Sequence, residues 1–170
     1  MGRGWMAELT HLFLDFDGVL TDNFVYVNEK GEEMVRCSRS DGIGIQKLKD
    51  KGITVCIMST ETNPVVCKRA EKLNVHCLQG ISDKLQALKE MDAVELSKTA
   101  FMGRDAVDLS KTAFMGNDLN DLKAMQAVGI PIAPADARPE IRDIAKYVTK
   151  ARGGNGAVRE ACGWLIAKYL

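Results

Sequence analysis

The apolar run His11-Leu12-Phe13-Leu14 ends on Asp15-Phe16-Asp17-Gly18. Two carboxylates two residues apart, where a strand-like segment gives out, can share nucleophilic and acid–base work. Asp15 can attack a phosphorus atom and form an aspartyl-phosphate. Asp17 can protonate the leaving oxygen and later activate water. Gly18 lets the chain turn sharply behind them. Alone, the pattern also fits an acidic cap or turn. Three further signals follow in order. Ser59 ends a second apolar segment, in Ile57-Met58-Ser59-Thr60-Glu61, where a hydroxyl can hold a phosphate oxygen. Lys84 follows the short segment Val75-His76-Cys77-Leu78 and can neutralise both nucleophile and phosphoryl group. Gly116-Asn117-Asp118-Leu119-Asn120-Asp121 ends a further apolar segment and offers oxygen ligands for a hard cation. Each has an ordinary alternative, since a lone lysine is usually a solvated face and Gly-Asn-Asp a turn. Their order at successive strand ends argues against coincidence, because that edge of an open α/β sheet is where ligands bind.

The elements that must carry these residues alternate between strand and helix. Such alternation predicts an α/β fold, a Rossmann-like parallel sheet covered by helices on both faces in three layers. Segments around Phe24–Asn28 and Glu32–Arg36 flank Glu29-Lys30-Gly31 and read as a β-hairpin after the first strand. A helix follows from Asp41, capped by Asp41 and closed by Gly52. The next helix opens at Pro64 and runs to about Leu73. Ser82 is expected to cap a third. Strands at Thr112–Gly116 and Gly129–Ala133 enclose one helix, and a helix from Arg138 precedes a last short strand near Lys146–Thr149. The glycine-rich Gly153-Gly154-Asn155-Gly156 leads into a C-terminal helix.

With 170 residues, 46% of them hydrophobic, the chain suits one domain spanning 1–170 with a full core. Lys plus Arg and Asp plus Glu number 23 each, a balance that argues against a nucleic-acid or anionic-membrane partner. No apolar run approaches the roughly 20 residues of a membrane span, and Met1–Leu9 lacks the apolar stretch of a signal peptide. Five widely spaced cysteines, Cys37, Cys56, Cys67, Cys77 and Cys162, suggest neither a disulfide framework nor a zinc site. His11 and His76 sit in strand-like segments and carry no expected role. These features read as cytoplasmic.

Ala93–Asp105 is followed at once by Ala106–Asp118, and 11 of the 13 positions are identical. Two short copies make a tandem duplication rather than a solenoid. Only one can fill the sheet position before Leu119. The second copy is the expected occupant, because it runs directly into Leu119 and its Asn117 stands where the first copy has Arg104, which would repel a cation.

Asp15–Asp22, Ser59, Lys84 and Gly116–Asp121 resemble the four motifs of the haloacid dehalogenase superfamily. The likeness is greatest to its small, capless sugar-acid phosphatases: the 3-deoxy-octulosonate 8-phosphate phosphatases, the ketodeoxynononate 9-phosphate phosphatases and the C-terminal domain of some acylneuraminate cytidylyltransferases. It extends to Ser40–Ile45, Ser59–Val66 and Arg152–Glu160. The resemblance implies a magnesium-dependent phosphomonoesterase acting on a phosphorylated sugar acid, with Asp15, Asp17, Ser59 and Lys84 as the catalytic set. It implies a homotetramer in which the hairpin of about 24–36 acts as a flap over a neighbour's site. Substrate contacts would come from Thr21, Asp41, Thr60, Glu61, Arg69, Lys72, Gly154 and Arg159. Arg69 and Lys72 lie three apart on one helical face.

The chain departs from the pattern at Asn117, where such phosphatases usually carry aspartate. A neutral amide should weaken the ion's hold. Asp15, the Asp17 carbonyl and Asn117 are the expected magnesium ligands, with Asp118 or Asp121 compensating. The alternative is a catalytically weak oligomerisation module related to the cytidylyltransferase domain.

Overall fold

The computed structural model describes residues 9–93 and 107–170. Six strands form one parallel sheet in the order β5-β4-β1-β6-β7-β8. They are β1 (His11–Leu14), β4 (Thr54–Met58), β5 (His76–Leu78), β6 (Thr112–Met115), β7 (Ile130–Ala133) and β8 (Tyr147–Val148). Between β1 and β4 lie the antiparallel hairpin strands β2 (Thr21–Val27) and β3 (Glu33–Cys37). The helices are α1 (Arg39–Lys49), α2 (Val65–Leu73), α3 (Lys84–Ala93), α4 (Leu122–Ala127), α5 (Pro139–Ile144) and α6 (Ala157–Tyr169).

Alternating side chains of buried strands point to opposite faces, so the sheet feeds two cores. Leu12, Leu14, Val55, Ile57, Ala113, Met115, Ile130 and Ile132 meet Ile45 and Leu48 of α1, Val66 and Ala70 of α2, and Ala161 and Leu165 of α6. Phe13, Cys56, Met58, Phe114 and Ala133 turn the other way. They pack on Leu88 of α3, Ala124 and Met125 of α4, and Ile141 of α5. The result is the expected three-layer arrangement.

β6 comes from the second copy of the duplication. Its four residues are buried, and His11–Leu14 pair in parallel with Thr112–Met115. The first copy's expected displacement lies outside the described residues.

Several boundaries differ from the sequence reading for local reasons. Ser38, not Asp41, caps α1, its side chain accepting from Ser40 N at 3.3 Å. Asp41 falls in the first turn instead. The Asp83 carboxylate accepts from Gln86 N at 2.9 Å and does the capping assigned to Ser82. The helix expected right after Asn117 begins with a 3-10 turn, Leu119–Asp121, before α4. Cys67 of α2 and Cys77 of β5 form a disulfide, although the cysteine spacing suggested none. The helix-to-strand return brings the two side chains together, which spacing alone does not reveal. This bond removes the support that cysteine usage lent to a cytoplasmic placement. Among the described residues no helix is long and apolar enough to cross a membrane.

Candidate active site

β1, β4 and β6 run side by side and end at one edge, so the residues just beyond them meet. Asp15 continues from β1, its backbone N donating to Met115 O at 3.0 Å. Ser59 follows β4 and is buried. Gly116 to Asp121 follow β6. Histidines 11 and 76 begin β1 and β5, at the opposite edge.

Lys84, at the first turn of α3, organises this edge. Its Nζ lies 2.7 Å from Asp15 Oδ1 and 2.6 Å from Asp121 Oδ1, and all three side chains are almost fully buried. Asp121 Oδ2 accepts from Asn117 N at 2.9 Å and Asp118 N at 3.3 Å. Asp121 is therefore engaged by Lys84 and by the loop backbone that carries Asn117. A β-carbon at Gly116 would strike the Asp121 side chain, so the glycine is what lets Asp121 reach back.

Two buried carboxylates share one ammonium, leaving an excess negative charge. Burial and the nearby Asp121 push the Asp15 carboxyl up to about 7, with Lys84 pulling the other way. Burial acts to lower Lys84, but the two carboxylates outweigh it and hold the ammonium above its ordinary range. Asp17 is also raised, chiefly by burial, with the Thr21 hydrogen bond opposing. Thr21 Oγ1 donates to Asp17 Oδ1 at 3.3 Å and accepts from Gly18 N and Asn23 N, each at 3.1 Å. Buried Thr21 thus orients Asp17 and braces the turn rather than facing a ligand. Gly18, at φ +77°, lies so close to the Asn117 amide that any β-carbon would overlap it.

The expected substrate residues divide. Glu61 Oε1 accepts from Thr62 N at 2.7 Å and Asn63 N at 2.9 Å, shaping the loop after β4. Thr60 is exposed on that loop. A cleft of about 150 Å³ opens beside Asp17, walled by Phe24, Val25 and Glu33 of the hairpin and by Glu61, Asn63 and Val65. Glu33 and Asn63 went unnoticed in the sequence; only the fold brings the hairpin against this loop. Gly154 is buried at φ +66°, its N donating to Val19 O at 3.1 Å, so the glycine loop docks on the segment behind Asp17. Asp41 is fully buried. Its Oδ1 accepts from Arg159 N at 2.9 Å, capping α6 from α1, because Gly156 has no side chain to do so. Asp41, expected to contact substrate, is in this structure engaged by the backbone of α6. Arg69 donates to Ser38 O at 3.0 Å, while Lys72 is exposed on α2.

A family model of haloacid dehalogenase-like hydrolases matches residues 95–160. The 3-deoxy-D-manno-octulosonate 8-phosphate phosphatase of Yersinia pestis is 35% identical over 164 residues, covering 94% of this chain and 81% of its own. The chain belongs to the haloacid dehalogenase-like hydrolases. Solved structures agree. A hydrolase of this family from Streptomyces avermitilis superposes with a TM-score of 0.81 at 39% identity, over 92% of this chain and 84% of its own. The octulosonate 8-phosphate phosphatase of Moraxella catarrhalis, solved with magnesium, phosphate and its sugar acid, gives 0.83 at 33% identity over 95% and 88%. This haloacid dehalogenase-like hydrolase is a phosphoric monoester hydrolase.

The residues present fit magnesium. Among the described residues no three His, Cys, Asp or Glu side chains form a metal cage. The donor set is instead mixed: the Asp15 carboxylate, a backbone carbonyl and the Asn117 amide, all hard oxygens that suit a small cation keeping several waters. The surplus negative charge around Lys84 supplies the electrostatic demand.

Proposed function

We propose that the chain hydrolyses the phosphate monoester of a sugar acid through an aspartyl-phosphate on Asp15. The single observation that carries the mechanism is the buried Asp15–Lys84–Asp121 triad at the strand edge, with Asp17 two residues on. Asp15 Oδ1 is fixed by Lys84 and by Phe16 N at 2.8 Å, which holds the carboxylate for in-line attack. Lys84 neutralises charge on the equatorial phosphoryl oxygens. Asp17, whose carboxyl burial raises above its ordinary range, gives a proton to the leaving oxygen and then takes one from water. Ser59, held at the β4 terminus, faces a phosphoryl oxygen. Asp15, the Asp17 carbonyl and Asn117 would hold magnesium, with Asp118 beside them, and the ion when bound polarises the phosphoryl group.

The substrate reading rests on relatives named for an eight-carbon sugar acid 8-phosphate. A nine-carbon acid 9-phosphate is the companion candidate, with Glu61, Arg69, Lys72, Thr60 and the loop at Gly154 and Arg159 on the sugar side. Asn117 favours one second reading, a catalytically weak assembly module. The deciding assay measures phosphate release from 3-deoxy-D-manno-octulosonate 8-phosphate with magnesium, for wild type and Asp15→Asn. The wild type should turn over, and the variant should lose activity by about 10³-fold or more. Undiminished activity in the variant would eliminate the Asp15 mechanism, and an inert wild type would favour the module.

A further inference from the structure

The hairpin and the glycine loop are far apart in sequence, yet one guanidinium joins them. Arg36, on β3, places Nε 2.8 Å from Asp22 Oδ2 at the start of β2. Its Nη2 donates to Asn155 Oδ1 at 2.6 Å. The Asn155 amide is itself oriented, since Nδ2 donates to Gly153 O at 3.2 Å. Asp22 Oδ1 accepts from Phe24 N at 3.3 Å, so the same carboxylate also holds the first residues of the flap. The backbone of Gly153 and Gly154 lies against Gly18, Thr21 and Asp22 so closely that a β-carbon on either would overlap them. Arg36 therefore joins the hairpin that walls the cleft to the glycine loop that leads into α6, and that loop in turn lies against the turn behind Asp17.

We propose that Arg36 is a positioning residue that clasps the flap to the glycine loop and so sets the opening of the cleft beside Asp17. A planar fork suits this task, because one guanidinium can hold a carboxylate and an amide oxygen in fixed relative directions. A lysine could keep Asp22 but not both partners. The clasp touches no reacting atom. Its effect falls on the part of a substrate that extends past the phosphate into the space between Phe24, Glu33 and Glu61. The kinetic part of this inference rests on the sugar-acid phosphatase reading; the mechanical part does not.

The test uses Arg36→Ala, Asn155→Ala, the double variant and Arg36→Lys. Hydrogen exchange of the substrate-free protein comes first. Loss of Arg36 should speed amide exchange in 153–156, and loss of Asn155 should speed it in the hairpin at 24–35. Exchange confined to the segment mutated would overturn the clasp, whatever the activity. In kinetics, each single variant should raise KM for 3-deoxy-D-manno-octulosonate 8-phosphate about fivefold with kcat little changed, as one lost charge-assisted bond would. The double variant should add nothing, because both substitutions break one link. Arg36→Lys should fall between. Hydrolysis of p-nitrophenyl phosphate, which lacks the extended chain, should stay within twofold. Additive effects, or equal losses on both substrates, would refute the positioning role. If the wild type hydrolyses neither ester, the phosphatase reading fails, and the exchange result alone decides the clasp.

Discussion

In the proposed metal site, a neutral amide at position 117 changes the charge without changing the shape. Asn117 N is tied to Asp121, and its side chain lies against Gly18, so an aspartate placed there would inherit the same position. Asn117→Asp should tighten magnesium by about tenfold, since one added charge near a hard cation readily contributes ~1.4 kcal/mol. Titration calorimetry showing unchanged or weaker binding would count against Asn117 as a ligand. A second residue-scale consequence concerns Asp41. Burial raises its carboxyl to about 6 from the ordinary 3.8, outweighing the opposing Arg159 hydrogen bond. The unfolded chain thus releases this proton before the folded one does. Folding stability from Asp41 should fall as pH rises from about 4 to about 6, then level off, by about 3 kcal/mol in all. Asp41→Asn keeps an acceptor for Arg159 N and cannot titrate. Chemical denaturation across pH 4–7 should show a flatter profile for the variant, and a wild-type-like slope would be inconsistent with this account.

At the scale of elements, the hairpin carries more apolar surface than a two-stranded ribbon can bury. Phe24 is 73% exposed, Tyr26 58% and Met34 65%, and isolated hairpins are marginal in water. These residues are the proposed contact surface of a homotetramer. Light scattering at micromolar concentration should report about four times 18.7 kDa, and Phe24→Ser with Tyr26→Ser should shift the mass downward. A wild-type monomer would remove this role. The hairpin itself was readable from two strand-like segments flanking Glu29-Lys30-Gly31, as were the strand ends that gather Asp15, Ser59, Lys84 and Gly116. Less legible were features set by neighbours distant in sequence. The ion pair of Asp121 with Lys84 was not legible, because nothing local shows Lys84 arriving from α3. Asp41 looked like a cap for α1 or a substrate contact because its real partner, Arg159, lies 118 residues away. Cys67 and Cys77 meet only once α2 and β5 pack together.

At the scale of the whole molecule, β6 is drawn from one of two nearly identical sequence segments. Both copies contain Lys-Thr-Ala-Phe-Met-Gly, so strand propensity and core volume cannot decide between them. The surroundings of the second copy can. Val107 is buried in the core shared with α3 and α4, Asp108 caps the turn before β6 through Ser110 N at 2.9 Å, and Asn117 leads straight to Asp121. The first copy has glutamate in place of that capping aspartate and arginine in place of Asn117. Removing residues 93–105 should therefore leave a complete fold. Because Ala93 and Ala106 are the same residue type, the product equals a deletion of 94–106: α3 keeps its ten residues and passes directly to Val107. Shortening a connection lowers its closure cost, by about 0.6 kcal/mol for each halving of length. The deletion variant should melt within a few degrees of the full chain and bind magnesium within about threefold, since Val107, the Asp108 cap, β6 and Asn117 are all retained. A variant that fails to fold would show that the first copy contributes to the structure, and one that folds but loses magnesium would show that it contributes to the site.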